Sequence, residues 1–474
     1  MTSDDALSRL SAIPDLGVVS DPHDMETHLV DWRRRHRGTA LAVLFPATVE
    51  AVSAALRLCG ELTLKVFPQG GNTSVCGGSV PDTHGGSVVL NLARMNRIRA
   101  LDPDDDSMIV DAGCILAEIQ QAAAHAGRLF PMSLGAEGSC QIGGTIATNA
   151  GGTAVLRYGN MRDLVLGLEV VLPDGTIWNG LRTLRKNNSG YDLRNLFIGS
   201  EGTLGIVTGA ALKLVAQPSS TVTGFLAVSC AKACVAIGQR LRQAFPGEVS
   251  ALEIMSRSQI DIVLRHIDQA HLPLSHTAPW YLLIEISGAA ASADLEERAT
   301  EVLAGFMEDG DVADAVLASN ARQRDELWAL RHNVTEANVK HGMGLTHDIA
   351  VPIARIDRFV DRAGDALAAS VPEARPVVVG HMGDGNLHYI AMIPHEDWAR
   401  VEDKPLRALN VGHLLYDIAL DLGGTFSAEH GIGSIHVADM ARYKPSEEVR
   451  MMRQIKTLLD PAGMMNPGRV LPAR

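Results

Sequence analysis

Residues 68–81 read PQGGNTSVCGGSVP, two glycine pairs within fourteen residues. The run LKVF leads into it, so a strand ends where Gly70-Gly71 begins, and Gly77-Gly78 follow in the same loop. Residues without a Cβ let backbone turn sharply and approach a ligand, and successive N–H groups of such a loop can face a pyrophosphate. Two more clusters follow: Gly143-Gly144-Thr145 with Asn149 and Gly151-Gly152, then Gly199-Ser200-Glu201-Gly202-Thr203-Leu204-Gly205. Taken singly, each could be turns alone. Neither a GxGxxG opening a helix nor a GxxxxGK[ST] occurs at them, which disfavours a Rossmann site and a P-loop.

At 474 residues and 46% hydrophobic, the chain is too long for one ordinary domain, and two or three folding units are expected. Its 45 glycines, set against 4% aromatics, favour backbone loops around a cofactor over a helical bundle. A net charge of −13 without a long basic block argues against nucleic acid and anionic membranes as partners. The six cysteines form no CxxC, so neither structural zinc nor a disulfide framework is expected, and a reducing compartment is. The N-terminal residues lack a charged region followed by an apolar core, and no run of about 18 apolar residues occurs, so the expectation is a cytoplasmic protein. Arg33, Arg34, Arg35 and Arg37 read as a solvated helix face.

From 40 to about 215, short apolar strands (LKVFPQGG, SVVLNL, MIVDAG, VLGLEVVLPDGT, LGIVTGAALKLV) are broken by glycine clusters, with a helix from Ile115 to Ala126 stopped at Gly127 and a hairpin at Asp174-Gly175. From about 216 to 420, strands such as YLLIEIS and VVVGHMG alternate with amphipathic helices, including Asp294 to Glu308 and Arg322 to Lys340. The expected organisation is a first domain over 1–215, a cap over 216–420 and a C-terminal segment, 421–474, that completes the site and carries a helix from Ser446 to Leu459.

The chemistry concentrates in HMGDGNLHY, residues 381–389, and SAEHGIG, residues 427–433. Val377 to Gly380 and Tyr389 to Ile393 read as strands, and Gly383, Asp384, Gly385 and Asn386 suit a tight hairpin, so His381 and His388 can share one face. Adding Glu429 gives a His2Glu set for a divalent ion, with His430 left to move a proton. Two histidines and an acid can also be hydrogen-bonding core groups, and the chain has seventeen histidines. The flanking glycines weigh against that reading.

Together, PQGGNTSVCGGSVP, LGAEGSCQIGGTIATNAGG, LRYGNMRDLVLGLEVVLPDGT and RKNNSGYDLRNLFIGSEGTLGIVT resemble the flavin-binding half of the vanillyl-alcohol oxidase superfamily, and more closely its D-2-hydroxyglutarate dehydrogenase branch. The resemblance runs from about Asp31 to Pro472. It implies an α+β fold: an FAD-binding domain of that type with an α+β substrate cap and a short C-terminal segment. It assigns FAD contacts to Pro68, Gly70, Gly71, Asn72, Thr73 and Ser74, to Gly135, Ser139, Gly143, Gly144, Thr145, Asn149, Gly151 and Gly152, to Glu201, Gly202, Ile206 and Val207, and to Asn466. Members with covalent flavin often carry a histidine beside the first glycine pair. Asn72 stands there, so noncovalent FAD is expected.

The resemblance matches the metal ligands to His381, His388 and Glu429 and the proton acceptor to His430. Zinc is the first choice for a His2Glu set and manganese the second. In LWALRHNVTEA, Arg331 and Thr335 stand four apart, hence on one helical face, where the family binds a substrate carboxylate that the Arg331 fork suits. Asn386 is the other expected polar contact. Two positions depart from the family: LTHDIAVP has Thr346, and EHGIGSIH has His436, where lysine is common, which weakens the case for a second, distal carboxylate on the substrate.

The implied reaction is oxidation of a D-2-hydroxy acid, foremost D-2-hydroxyglutarate, to the 2-oxo acid. The ion would acidify the hydroxyl, His430 would remove its proton, and C2 hydride would pass to flavin N5. An electron-transfer flavoprotein or a quinone would reoxidise the flavin, and a homodimer is an assembly the reading allows. The rivals are a D-lactate dehydrogenase of the same fold, a zinc hydrolase using His381, His388 and Glu429, and a non-catalytic metal- or flavin-binding protein.

Overall fold

The computed structural model describes residues 2–289 and 291–472. The chain forms two compact units: residues 1–151, 159–217 and 429–474 make the first, and 152–158 with 218–428 make the second. Among the described residues no helix is long and apolar enough to cross a membrane.

In the first unit, β1 (Leu16–Val19), β2 (Ala42–Pro46), β3 (Lys65–Gln69) and β4 (Ser87–Asn91) form a sheet in the order β1-β2-β4-β3. β2, β4 and β3 are parallel, and β4 is buried throughout, the pattern of a central parallel strand. Helix Val49–Glu61, capped by the Thr48 hydroxyl, buries Val52, Ala55, Leu56 and Cys59 at helical spacing. Where β3 ends, the Asn91 amide donates to Gln69 Oε1 (3.0 Å) and Gly70 O (3.1 Å), which fixes the entry into the glycine loop.

The same unit holds an antiparallel sheet of β5 (Ile98–Asp102), β6 (Ser107–Asp111), β8 (Val165–Val171), β9 (Ile177–Gly180) and β10 (Ile206–Lys213), ordered β5-β6-β10-β8-β9. A short pair, β7 (Arg128–Leu129) with β11 (Val215–Ala216), lies outside it. The expected turn at Asp174-Gly175 joins β8 to β9, with Gly175 at φ +81°. Helix Leu116–His125 stops before Gly127 at φ +68°, and helix Ser446–Leu459 has the expected bounds.

The second unit is built on one antiparallel sheet of β12 (Ser220–Val228), β13 (Val249–Ser256), β14 (Trp280–Gly288), β15 (Val312–Leu317), β16 (Met343–Ala350), β17 (Arg375–His381) and β18 (Asn386–Ile393). Its order is β15-β12-β14-β13-β17-β18-β16. On one face, Met255, Tyr281, Leu283, Val377, Val379 and Ile390 pack with Leu327, Leu330, Val334 and Ala337 of helices Ala321–His332 and Val334–His341. On the other, Tyr389 meets Phe359 edge to face, and His347 meets Tyr416.

Two local expectations change. The single helix expected over 322–340 is two helices meeting at Asn333, so the four-residue spacing of Arg331 and Thr335 does not run along one uninterrupted helix. The arginine run is not a helix face: residues 31–36 form a turn in which Asp31 Oδ1 accepts from the backbone of Arg35 and His36, Arg34 sits at φ +55°, and Arg37 pairs with Glu26.

Candidate active site

The loop after β3 has the features of an anion cradle. The N–H groups of Gly71, Asn72, Thr73 and Ser74 donate to no acceptor among the described residues, and Asn72 is left-handed at φ +54°. A left-handed residue in such a loop can turn neighbouring N–H groups toward one concavity. The Asn72 side chain faces away: its amide donates to Thr27 O and Val30 O, and its oxygen accepts from Ser79. Ser74 Oγ closes the loop by accepting from Cys76 and Gly78. A Cβ on Gly71 would stand 2.0 Å from Ser139 O, so backbone meets backbone here and only glycine fits.

Around this loop the assigned residues divide into those that brace and those that face open space. Gly143 abuts Ala112, Thr145 is buried and donates to Ile142 O, and the Asn149 oxygen accepts from Arg162 N. Gly202 packs on Pro68. Gly151, Gly152, Ile206 and Val207 are buried. A Cβ on Gly135, Gly138 or Gly144, by contrast, would meet nothing within 4 Å. Gln141 Oε1 and Asn466 Oδ1 are buried without a partner, while the Asn466 amide donates to Gly78 O and Glu201 O. Open glycine faces, free N–H groups and orphaned polar atoms together fit a large, polar, phosphate-bearing cofactor.

Glu201 faces protein. Held at φ +51°, its carboxylate accepts from the backbone of Ile432 and Gly433, both at 2.7 Å, and so braces the segment that follows His430. Burial pushes its pKa up, and those N–H groups pull it back in part. His436, nearby in sequence, has its Nδ1 2.9 Å from Asp439 Oδ2.

The second centre lies at the ends of neighbouring strands. The register pairs Glu253 with His381, His381 with Asn386, Val379 with His388, and His388 with Asp348. Residues directly opposite in a sheet share a face, so Glu253, His381, Asn386, His388 and Asp348 all point to one side. The expected hairpin is present with longer strands, turning at Met382–Gly385, and the imidazole centroids of His381 and His388 are 5.6 Å apart. Two imidazoles on one ion at about 2.0–2.1 Å have centroids about 5 Å apart, so the rings suit a shared ion.

Each ring leans on a carboxylate. Glu253, 1% exposed at its side chain, lies 2.7 Å through Oε1 from His381 Nδ1, and its Oε2 accepts from Arg331 Nε at 2.7 Å. Burial alone would raise the Glu253 pKa, yet His381 and Arg331 hold it below the usual carboxylate range. Asp348 lies 3.6 Å from His388 Nδ1. It accepts from the Asn386 amide (2.8 Å) and from Ala428 N (3.2 Å). The Asn386 amide also donates to Ile349 O, so both its donors brace the strands and only its oxygen is left for a ligand.

Ala428 is followed directly by Glu429 and His430. Asp348 and His388 of the second unit, and Glu429 and His430 of the first, are the residues whose chemistry could hold a metal ion. His381, which the sequence reading assigned to the ion, stands beside His388. Two imidazoles with carboxylates are a donor set that fits zinc or manganese. Thr335 and Thr346 are both exposed. Sequence reasoning missed Glu253 and Asp348. The one signal for Glu253 is a single charge inside the apolar strand VSALEIMS, and for Asp348 the acid that precedes the end of its own strand in LTHDIAVP.

Residues 40–180 match a family described as FAD binding domain, and residues 217–470 match the C-terminal domain of FAD linked oxidases. Among known proteins, the chain is 39% identical to D-2-hydroxyglutarate dehydrogenase, mitochondrial, of Bos taurus, across 100% of this chain and 84% of that one. It is 36% identical to D-2-hydroxyglutarate dehydrogenase of Xanthomonas citri pv. viticola (99% and 97%). It is likewise 36% identical to a putative mitochondrial D-lactate dehydrogenase of Schizosaccharomyces pombe (96% and 86%).

Among solved structures, p-cresol methylhydroxylase with substrate bound superposes with a TM-score of 0.74 at 15% identity, over 98% of this chain and 96% of that one. Alkyldihydroxyacetonephosphate synthase superposes with a TM-score of 0.73 at 18% identity, over 98% and 85%. These likenesses bear on fold alone, and the fold is that of the vanillyl-alcohol oxidase flavoproteins. With both domains matched in order and the relatives aligned nearly end to end, the chain belongs to the FAD-dependent D-2-hydroxyacid dehydrogenases, in the family of the D-2-hydroxyglutarate dehydrogenases.

Proposed function

We propose that this enzyme oxidises D-2-hydroxyglutarate to the 2-oxo acid at a metal-assisted site with noncovalent FAD. The observation that carries the proposal is the pairing of His381 and His388 on one sheet face, ring centroids 5.6 Å apart, each with a carboxylate, Glu253 or Asp348, beside it. His381, His388 and Glu429 would hold a divalent ion, zinc before manganese, whose Lewis acidity favours the ionised substrate hydroxyl. FAD, when bound, supplies the acceptor for the C2 hydrogen and its electron pair. Asn72 in place of a histidine, with its side chain turned into protein, supports noncovalent attachment.

The residues divide the work. Arg331, held through Nε, has its two terminal nitrogens left to fork onto the C1 carboxylate. Asp348 orients the His388 ring, as a carboxylate behind a ligating imidazole does. His430 accepts the hydroxyl proton. An electron-transfer flavoprotein or a quinone then takes the electrons. Exposed Thr346, which offers no cation to a distal carboxylate, favours a second reading, preference for D-lactate.

Chelation, or His388→Ala, tests the metal. Substrate should no longer bleach the flavin, while the yellow chromophore stays bound. Full activity in metal-free protein would end the metal reading.

A further inference from the structure

We propose that Glu253 is a positioning residue shared by both halves of the substrate site, one buried carboxylate that aims the Arg331 guanidinium and the His381 imidazole together. The inference rests on the reading above, in which Arg331 takes the substrate carboxylate and His381 the ion.

The two partners come from different elements. Arg331 lies in the last turn of helix Ala321–His332, and His381 ends β17. Glu253 stands on the neighbouring strand, directly opposite His381 in the register, and spends one oxygen on each, at 2.7 Å in both cases. A purely structural ion pair of this burial would gain little over apolar packing, because desolvation offsets the attraction. The choice of atoms points instead to function. Engaging Arg331 at Nε leaves Nη1 and Nη2 for a bidentate anion. Engaging His381 at Nδ1 fixes the tautomer in which Nε2 carries the lone pair, the form a metal-ligating imidazole takes. A single carboxylate therefore ties the orientation of the anion fork to that of the metal-side ring.

The test uses the FAD-loaded full chain, with Zn²⁺ affinity measured by chelator competition and steady-state kinetics measured on D-2-hydroxyglutarate. Glu253→Gln should keep its FAD, bind Zn²⁺ roughly 10–100-fold more weakly and raise KM proportionally more than it lowers kcat. Double variants separate positioning from general damage. With Arg331→Ala already present, Glu253→Gln should add no further rise in KM yet still weaken Zn²⁺. With His381→Ala present, it should weaken Zn²⁺ no further.

Unaltered Zn²⁺ affinity and KM in Glu253→Gln, or effects that persist undiminished in both backgrounds, would overturn the proposal. If the unaltered enzyme binds no Zn²⁺, the metal reading fails, and the KM comparison with Arg331→Ala alone decides the role of Glu253. If Glu253→Gln does not accumulate, Glu253→Asp carries the test. Its shorter carboxylate can reach only one partner and should lose one of the two effects, and loss of neither overturns the proposal.

Discussion

Two glycines of the first unit make opposite predictions. Gly71→Ala drives a Cβ to 2.0 Å from Ser139 O, a clash with backbone that no rotamer relieves. It should cost at least about 1–3 kcal/mol, lowering Tm and bound FAD together. Gly144→Ala meets nothing within 4 Å and lies inside helix Ile142–Ala147. It should stabilise the apoprotein by about 0.5–1 kcal/mol while weakening FAD, because the added methyl occupies the open face. Equal FAD affinity in Gly144→Ala would remove that face from the cofactor site. At the substrate end, Thr346→Lys should raise the kcat/KM preference for D-2-hydroxyglutarate over D-lactate by roughly 10–150-fold, the worth of a charge-assisted hydrogen bond of about 1.5–3 kcal/mol. An unchanged ratio would place Thr346 away from the distal group. At this scale the hairpin that sets His381 and His388 on one face is readable from sequence because glycines stand in its turn. Glu253 is not, because its partners are 78 and 128 residues away and only the sheet register brings them together.

Among elements, the hairpin of β17 and β18 carries the two histidines of the proposed site, and Gly385 holds its turn. At φ +88°, with a Cβ position 2.2 Å from Val351 O, it tolerates no side chain. Gly385→Ala should abolish substrate-driven flavin reduction and lower Tm, yet leave FAD stoichiometry near that of the parent, since the glycine loops belong to the other unit. Parallel loss of flavin would contradict this. Most strands and the long helices were legible from apolar periodicity and glycine stops. The break at Asn333 was not, because the residues around it carry no proline or glycine and the near-helical Asn333 backbone joins the two segments. The arginine run misled because charge alone cannot separate a helix face from a turn built around a buried Asp31.

Across the whole molecule, Cys59, Cys76, Cys114, Cys140 and Cys234 are buried and Cys230 is exposed. A thiol reagent at neutral pH should modify one cysteine in the native protein and all six after denaturation. Burial pushes the Cys59 and Cys114 thiols up to about 12 and Cys140 to about 11, and raises Cys234 as well. In an unfolded chain such thiols ionise near about 8.5. The native state therefore binds these protons more tightly, and the stability they contribute is complete below about 8.5 and is lost as pH rises toward the folded values. Denaturant midpoints in reducing buffer should fall across that range, less steeply when Cys59 and Cys234 are replaced by alanine. An identical slope in that variant would assign the alkaline loss to other groups.

As an FAD-dependent D-2-hydroxyacid dehydrogenase, this chain moves electrons from a D-2-hydroxy acid to bound FAD. Anaerobic mixing of the yellow enzyme with D-2-hydroxyglutarate, D-malate and D-lactate, followed by flavin absorbance, tests it most directly. The flavin should bleach with the D acids, fastest with D-2-hydroxyglutarate, and stay oxidised with the L enantiomers. A flavin that stays oxidised with all three D acids in metal-loaded enzyme would contradict the account.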